Sequence, residues 1–437
     1  MISASFCINI ILISSLLTQF PMAFSRRFLG CFLCGDKKDI SDLPPATPVD
    51  FTIERKNPQK SDDSFDSEPE STKDDEKTPL KVEVQPIRKN RVLVVASKGT
   101  YGFADEPFPE FAHDKEVVIS NRATGLNPID YKSVDYNFCL PEFPWVTGRE
   151  MAGVVEEVGS GVTDVKVGDH VWTSKFTLFE NQHSSLTILG TYYRDRRAGC
   201  FQQYVTVPAH TVLPLPSNLS FDHAACLGVA GLTAAMTLWR WLQVSMTPQP
   251  SSSEAKYLLL WGGSTVTGQF AIQIATRCGL KVIAVTSSKT QTLAQLLGAH
   301  HVVTRDGKTE AEIVAEIRSI AGDNITKAID LVGTKTANFC MEAMSTSKQC
   351  IFAPLAMISS KAVIPANIRV ETVEMKQFVL NEESRMYALE LNRLVETGAI
   401  KLPDVHVLEG GLDVVTQGLE RLKGGDMAGK KMVVRMV

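Results

Sequence analysis

The stretch YLLLWGGSTVTG, residues 257–268, decides the fold of this 437-residue chain. Its apolar residues run without a charge into a glycine-bearing turn, the pattern of a strand buried on both faces of a parallel sheet. Phe270, Ala271, Ile274, Ala275 and Cys278 then recur at helical spacing, so the turn opens a helix with one buried face. A second strand pattern, KVIAVT at 281–286, completes the β-turn-α-β order that a dinucleotide fingerprint requires as its context. Such a helix start offers backbone N–H groups and a positive dipole end to a pyrophosphate. That nominates Gly262, Gly263, Ser264, Thr265, Val266, Thr267 and Gly268 as cofactor-binding residues.

Gly263 and Gly268 stand at the first and third positions of G-x-G-x-x-G, while Thr265 occupies the second, where glycine ordinarily lets the backbone approach the phosphates. On this pattern alone a plain packing turn is an equal reading. The end of the second strand adds weight: it carries Ser287, Ser288 and Lys289 where an NAD site holds Asp or Glu for the ribose 2′-hydroxyl. Hydroxyls and an ammonium suit a 2′-phosphate, so NADPH is the expected cofactor; a solvated helix start is the alternative for Lys289.

Outward from this unit, HVVT (301–304), AIDLV (328–332) and CIFAPL (350–355) alternate with segments of helical length, which argues for a parallel, doubly wound sheet. The first half of the chain is β-rich, with strand patterns in RVLVVA (91–96), EVVISNRATG (116–125) and the glycine-punctuated GREMAGVVEEVGSGVTDVKVGDHVW (148–172). After about residue 364 come FVL, a helical pattern over 386–397, and KKMVVRMV (430–437). That last strand has no crossover partner left in the sequence and is expected to return to the β-rich domain. The expected class is α/β: a β-rich domain over 88–225, completed by 366–437, and a Rossmann domain over 226–365.

The composition, 44% hydrophobic with a formal charge of −4, gives room for two or three domains and an ample core. Residues 61–77 carry eight acidic side chains against Lys73 and Lys77, and the rest of the chain is close to neutral, which argues against a nucleic-acid partner. Nine dispersed cysteines fit a reduced compartment better than secretion. Cys31 and Cys34 form a C-x-x-C pair with no second ligand pair nearby, so a zinc site there is not expected; acylation beside Arg26 and Arg27 is a second reading. Residues 36–87 are too polar to bury a core and are expected to be a disordered acidic linker. Residues 1–35 hold an apolar run at 6–17 that reads as a targeting or membrane-anchoring segment, as an upstream-extended gene model with its start at Met22, or as a poorly folded tail.

Several motifs in order carry a family resemblance: GLNPIDYK (125–132), GREMAGVVEEVGSGVTDVKVGDHV (148–171), GCFQQYVTVPA (199–209), LGVAGLTA (227–234), WGGSTVTGQFAIQIA (261–275) and AGKKMVVR (428–435). Over residues 90–437 the chain resembles the medium-chain dehydrogenases/reductases, and most nearly their zinc-independent quinone oxidoreductases and the fungal trans-acting enoyl reductases of the ToxD-like kind. The resemblance implies a GroES-like fold for the β-rich catalytic domain. Zinc-dependent members place a Cys ligand where this chain has Asn127 and a His ligand where it has Arg149; with neither ligand present, no metal is expected.

By the same resemblance Asn127, Asp130 and Lys132 line the cleft near the nicotinamide, with Lys132 stabilising a developing enolate oxygen, Asp130 orienting Lys132, and Tyr131 or Tyr136 supplying a proton. Thr233 is placed at the cofactor edge. Duller readings stand beside these: Asp130 as a turn former, the tyrosines as packing residues, Thr233 as a helix cap. The implied function is NADPH-dependent, zinc-free reduction of an activated C=C bond in an enone or enoyl thioester, with a quinone reductase or a catalytically idle NADPH-binding partner as alternatives. A monomer or homodimer in the cytoplasm is expected, unless the N-terminal segment directs the chain to a membrane. In the 173–197 loop, Tyr192, Tyr193, Arg194, Arg196 and Arg197 are candidates to meet a phosphopantetheine or carrier-protein surface, against a solvated loop.

Overall fold

The computed structural model describes residues 88–175, 195–247, 255–425 and 427–436, with the backbone of Val49–Asp50. The expectations for 1–35 and 36–87, for Tyr192, Tyr193 and Arg194, and for most of the 173–197 loop lie outside the described residues. The chain divides into two compact units, Met1–Ala46 and Thr47–Val437, and everything below concerns the second.

Six parallel strands form the sheet begun by Tyr257–Trp261. Their spatial order is His301–Thr304, Lys281–Thr286, Tyr257–Trp261, Ile325–Asp330, Cys350–Pro354, Ile368–Val370. In chain order this is 3-2-1-4-5-6, the doubly wound dinucleotide-binding arrangement, whose switch point lies between the first and fourth strands. Side chains of the first strand alternate between two cores, as the pleat requires. Leu258 and Leu260 pack with Phe270, Ile274 and Leu232 on one face, and Tyr257, Leu259 and Trp261 with Ile283, Ile317 and Phe352 on the other. Covering both faces explains the uncharged run.

The β-rich domain holds a seven-stranded sheet in which Lys431–Arg435 lies antiparallel to Glu116–Gly125, beside Glu150–Val158 and His170–Ser174. The last strand therefore does return to this domain. It does have a crossover partner, contrary to the sequence reading: Val405–Glu409 pairs with it in parallel, joined through helix Val415–Lys423. A smaller sheet is built on the hairpin of Lys89–Ser97 and Thr100–Pro107.

One boundary differs from that read in the sequence. Ile368–Val370 is the sixth strand of the parallel sheet, and Leu391, Leu394 and Val395 of helix Arg385–Glu396 lie in the core with Leu232 and Phe270. Residues up to about 400 thus complete the Rossmann side before the chain goes back to the other domain. The FVL segment is part of a short helix, Gln377–Leu380. The helical run Phe221–Trp241 is long and apolar enough to span a membrane, yet 83% of its most apolar window is buried inside the protein, so it serves as a core helix. It begins at Ser220, whose hydroxyl accepts from the His223 amide, and it includes π-helical turns at Leu227–Gly231 and Thr237–Trp241.

Candidate functional site

At the carboxyl end of the first two parallel strands lies a cleft of about 520 Å³. Gly262, Ser264 and Thr265 line it from the turn, and Thr286 and Ser287 from the end of the second strand. Gly262 rather than Gly263 makes the tight turn, with φ +92°, a conformation glycine alone adopts without strain. Thr265, at the position usually held by glycine, is the helix N-cap: its Oγ1 accepts from the Gly268 amide at 3.1 Å. Gly268 permits close packing, since a Cβ there would stand 2.5 Å from the Gly262 carbonyl oxygen. Gly263, Val266 and Thr267 belong to the same turn and first helical turn. In an α-helix the first amides have no acceptor four residues back, so those of Val266 and Thr267 suit an anion.

Ser288 and Lys289 are exposed and do not line the cleft. The Ser288 amide donates to the Asp306 carboxylate, and those bonds hold the Asp306 carboxyl below its ordinary range. Cleft residues that the sequence reading missed come instead from the loop after the third strand, where Arg305, Asp306 and Lys308 are found. The segment TRDGK directly follows HVVT, which was the available signal; the fingerprint looks only to the second strand. Thr233 is 8% exposed in the interior of the long helix. It is neither a helix cap nor in the lining of this cleft.

The NPIDYK segment forms helix Pro128–Tyr136. Pro128 suits its first position, where the missing N–H costs nothing, and Asn137 in the left-handed region ends it. The Asn127 amide donates to Asp130 Oδ2 at 2.9 Å, fixing the helix start. The other Asp130 oxygen accepts from Arg149 Nη1 at 2.6 Å, with side-chain exposures of 0% and 5%. Asp130 is therefore held by Arg149 and is not the orienting partner of Lys132. Burial pushes its carboxyl up, against the pull of Arg149 and the Asn127 amide. Lys132 is exposed. Tyr131 is half-buried in the cluster of Leu126, Phe201 and Val415, and burial raises its phenol, making it a poorer acid. Tyr136 is 63% exposed.

Asn127 is also spoken for through its side chain. Its Nδ2 donates to Glu150 Oε1 at 2.8 Å, and its Oδ1 accepts from Lys431 Nζ at 2.7 Å. Lys431 also pairs with Glu150, whose Oε2 accepts from the Val229 amide at 2.6 Å. Lys431, which the sequence reading did not single out, thus completes a buried polar triangle. Lys175 is buried nearby, 4% exposed. It donates to the Asp195 carbonyl at 2.7 Å with its ammonium 4.8 Å from the Trp145 ring centre, and burial lowers it to about 7. Arg196 pairs with Glu106, and Arg197 with Glu116 and Asp195. Both are tied into the domain by these ion pairs.

Residues 113–217 match the model of the alcohol dehydrogenase GroES-like domain, and 267–390 that of the zinc-binding dehydrogenase domain. The zinc of the latter description does not fit the donors present. Asn127 and Arg149 occupy the expected ligand positions, and a guanidinium, always protonated, has no lone pair to give. Among the described residues no group of three His, Cys, Asp or Glu side chains is placed to hold a metal. The dehydrogenase azaJ of Aspergillus niger is 30% identical over 368 residues, covering 80% of this chain and 96% of that protein. The trans-enoyl reductase eqxC of Fusarium heterosporum is 28% identical over 358 residues, covering 75% and 93%. Among solved structures, the Escherichia coli quinone oxidoreductase complexed with NADPH shares the fold with a TM-score of 0.62 at 20% identity, covering 79% of this chain and 99% of that one. The chain is an oxidoreductase by these relationships, and it belongs to the medium-chain dehydrogenase/reductase superfamily, in its ToxD-like group.

Proposed function

We propose that this protein is an NADPH-dependent, metal-free reductase of activated carbon–carbon double bonds, acting on an enone or an enoyl thioester. The observation that carries the reading is the fate of the two would-be ligand positions: Asn127 and Arg149 are both spent on buried internal partners in a chain whose other domain holds a dinucleotide cleft. Reduced nicotinamide supplies a hydride. The turn at 262–268 is suited to its pyrophosphate, and Arg305 and Lys308 bring positive charge for a 2′-phosphate. Because Asn127 and Asp130 are fully engaged, Lys132 is the polar group of the NPIDYK segment left exposed, and its ammonium is the candidate to meet a developing enolate oxygen. The names of the relatives support the enoyl substrate, and the NADPH complex of the structural neighbour supports the cofactor.

A quinone reductase is the second reading, favoured by the packed position of Tyr131: a reaction whose product takes its protons from water needs no tyrosine acid. The test is NADPH oxidation by the full-length protein with a crotonyl thioester and, separately, a benzoquinone, with NADH alongside. Turnover on the thioester with NADPH preferred supports the first reading, and turnover on the quinone alone supports the second. NADPH binding with no turnover on either would count against both and leave an idle nucleotide-binding protein.

A further inference from the structure

The loop before the last strand touches both functional elements. Gln269, in the first turn of the nucleotide helix, is 2% exposed. Its Nε2 donates to the Ser264 carbonyl at 3.1 Å and to the Gly429 carbonyl at 2.6 Å. Ser264 lines the cleft. Two residues beyond Gly429, the Lys431 ammonium is 2% exposed and sits between Asn127 Oδ1 and Glu150. Asn127 in turn caps helix Pro128–Tyr136, and the Leu126 amide donates to the Met432 carbonyl at 3.0 Å. A continuous set of buried polar contacts therefore runs from the nucleotide turn through 429–431 to the helix that presents Lys132.

We propose that Lys431 is a positioning residue that couples occupancy of the nucleotide turn to the placement of helix Pro128–Tyr136. The coupling rests on the reading of the cleft as a nucleotide site, and by linkage it is reciprocal between that cleft and the helix. The geometry favours it because both polar ends of the Asn127 amide are committed, one to Glu150 and one to Lys431. A shift of the 429–431 loop that follows the nucleotide turn then moves the helix start. Any movement of Lys431 away from Glu150 would strand a buried charge, so the contacts travel together.

The test compares amide hydrogen exchange over 128–136, with and without saturating NADPH, in the full-length wild type, Lys431→Met and Gln269→Met. Lys431→Met leaves Glu150 unpaired and risks misfolding; Gln269→Met keeps every charge paired and cuts the link at its other end. In the wild type NADPH is expected to slow exchange over 128–136 about 10-fold, and in both variants less than about 2-fold, with the NADPH dissociation constant changed by no more than about 5-fold. A merely structural role would raise basal exchange and leave the NADPH-dependent ratio as in the wild type. An undiminished ratio in Gln269→Met overturns the proposal. Loss of the ratio supports it even in a protein without turnover, so failure of the reductase reading is told apart. NADPH that protects neither 262–268 nor 128–136 in the wild type overturns the cleft reading and this coupling together.

Discussion

Asp130 and Arg149 form an ion pair at 2.6 Å with both side chains out of water. Desolvating two charges roughly cancels their attraction, so the pair adds little net stability, whereas an unpaired survivor is costly. Arg149→Leu is therefore expected to lower unfolding stability by about 3–5 kcal/mol, and the double variant Asp130→Leu/Arg149→Leu to recover more than half of that. Urea unfolding of Arg149→Leu, Asp130→Leu and the double variant measures this. A double variant as unstable as the sum of its singles would show that the pair does not act as a unit.

Thr265 holds a cap in place of the fingerprint glycine. Thr265→Val keeps the shape and removes the oxygen that accepts from the Gly268 amide, and is expected to cost about 1 kcal/mol. Thr265→Gly, which restores G-x-G-x-x-G, should cost only a few tenths of a kcal/mol. Thermal unfolding of both ranks them, and equal losses would contradict the capping role.

What was legible in the sequence tracks what local pattern encodes. Tyr257–Trp261 could be read because both of its faces are covered and no polar residue interrupts it. Val405–Glu409 was missed because its side chains are only partly buried, so VHVLE lacks a strong apolar signature, and Ile368–Val370 has just three residues to show. Asn127 and Asp130 were found through a motif, yet their partners were not. Lys431 lies 304 residues from Asn127, and pairing of a particular ammonium with a particular amide is a tertiary fact with no local trace. Arg149 was read as a missing ligand, and only the fold shows it to be the partner of Asp130.

Lys175 makes a pH prediction. Its folded value of about 7 lies below that of an unfolded lysine, so between about pH 7 and pH 10 the unfolded chain holds a proton that the folded chain has released. Stability from this group therefore rises with pH across that window, and its deficit is complete below it. Lys175→Met is expected to gain about 1–3 kcal/mol at pH 6, less the lost contact to the Asp195 carbonyl, with the gain shrinking toward pH 10. Urea midpoints of both proteins at pH 6, 8 and 9.5 test it. A difference that does not vary with pH would mean Lys175 titrates normally.

Cofactor choice is expected to rest on the loop after the third strand more than on Lys289. Arg305 lines the cleft and Lys289 does not, and a charge-assisted hydrogen bond to phosphate of about 1.5–3 kcal/mol corresponds to roughly 10-fold or more in affinity. Arg305→Gln should thus weaken NADPH about 10-fold while changing NADH less than about 2-fold, and Lys289→Gln should shift the NADPH to NADH ratio by less than about 3-fold. Asp306 pulls the other way, because its carboxylate shares the cleft with Arg305 and would repel a 2′-phosphate. Asp306→Asn should tighten NADPH about 3-fold, though it weakens the acceptor of the Ser288 amide. Fluorescence titration of each variant with both nucleotides separates these effects without requiring turnover. If Arg305→Gln weakens NADPH and NADH alike, its charge supports the loop and does not read the 2′-phosphate.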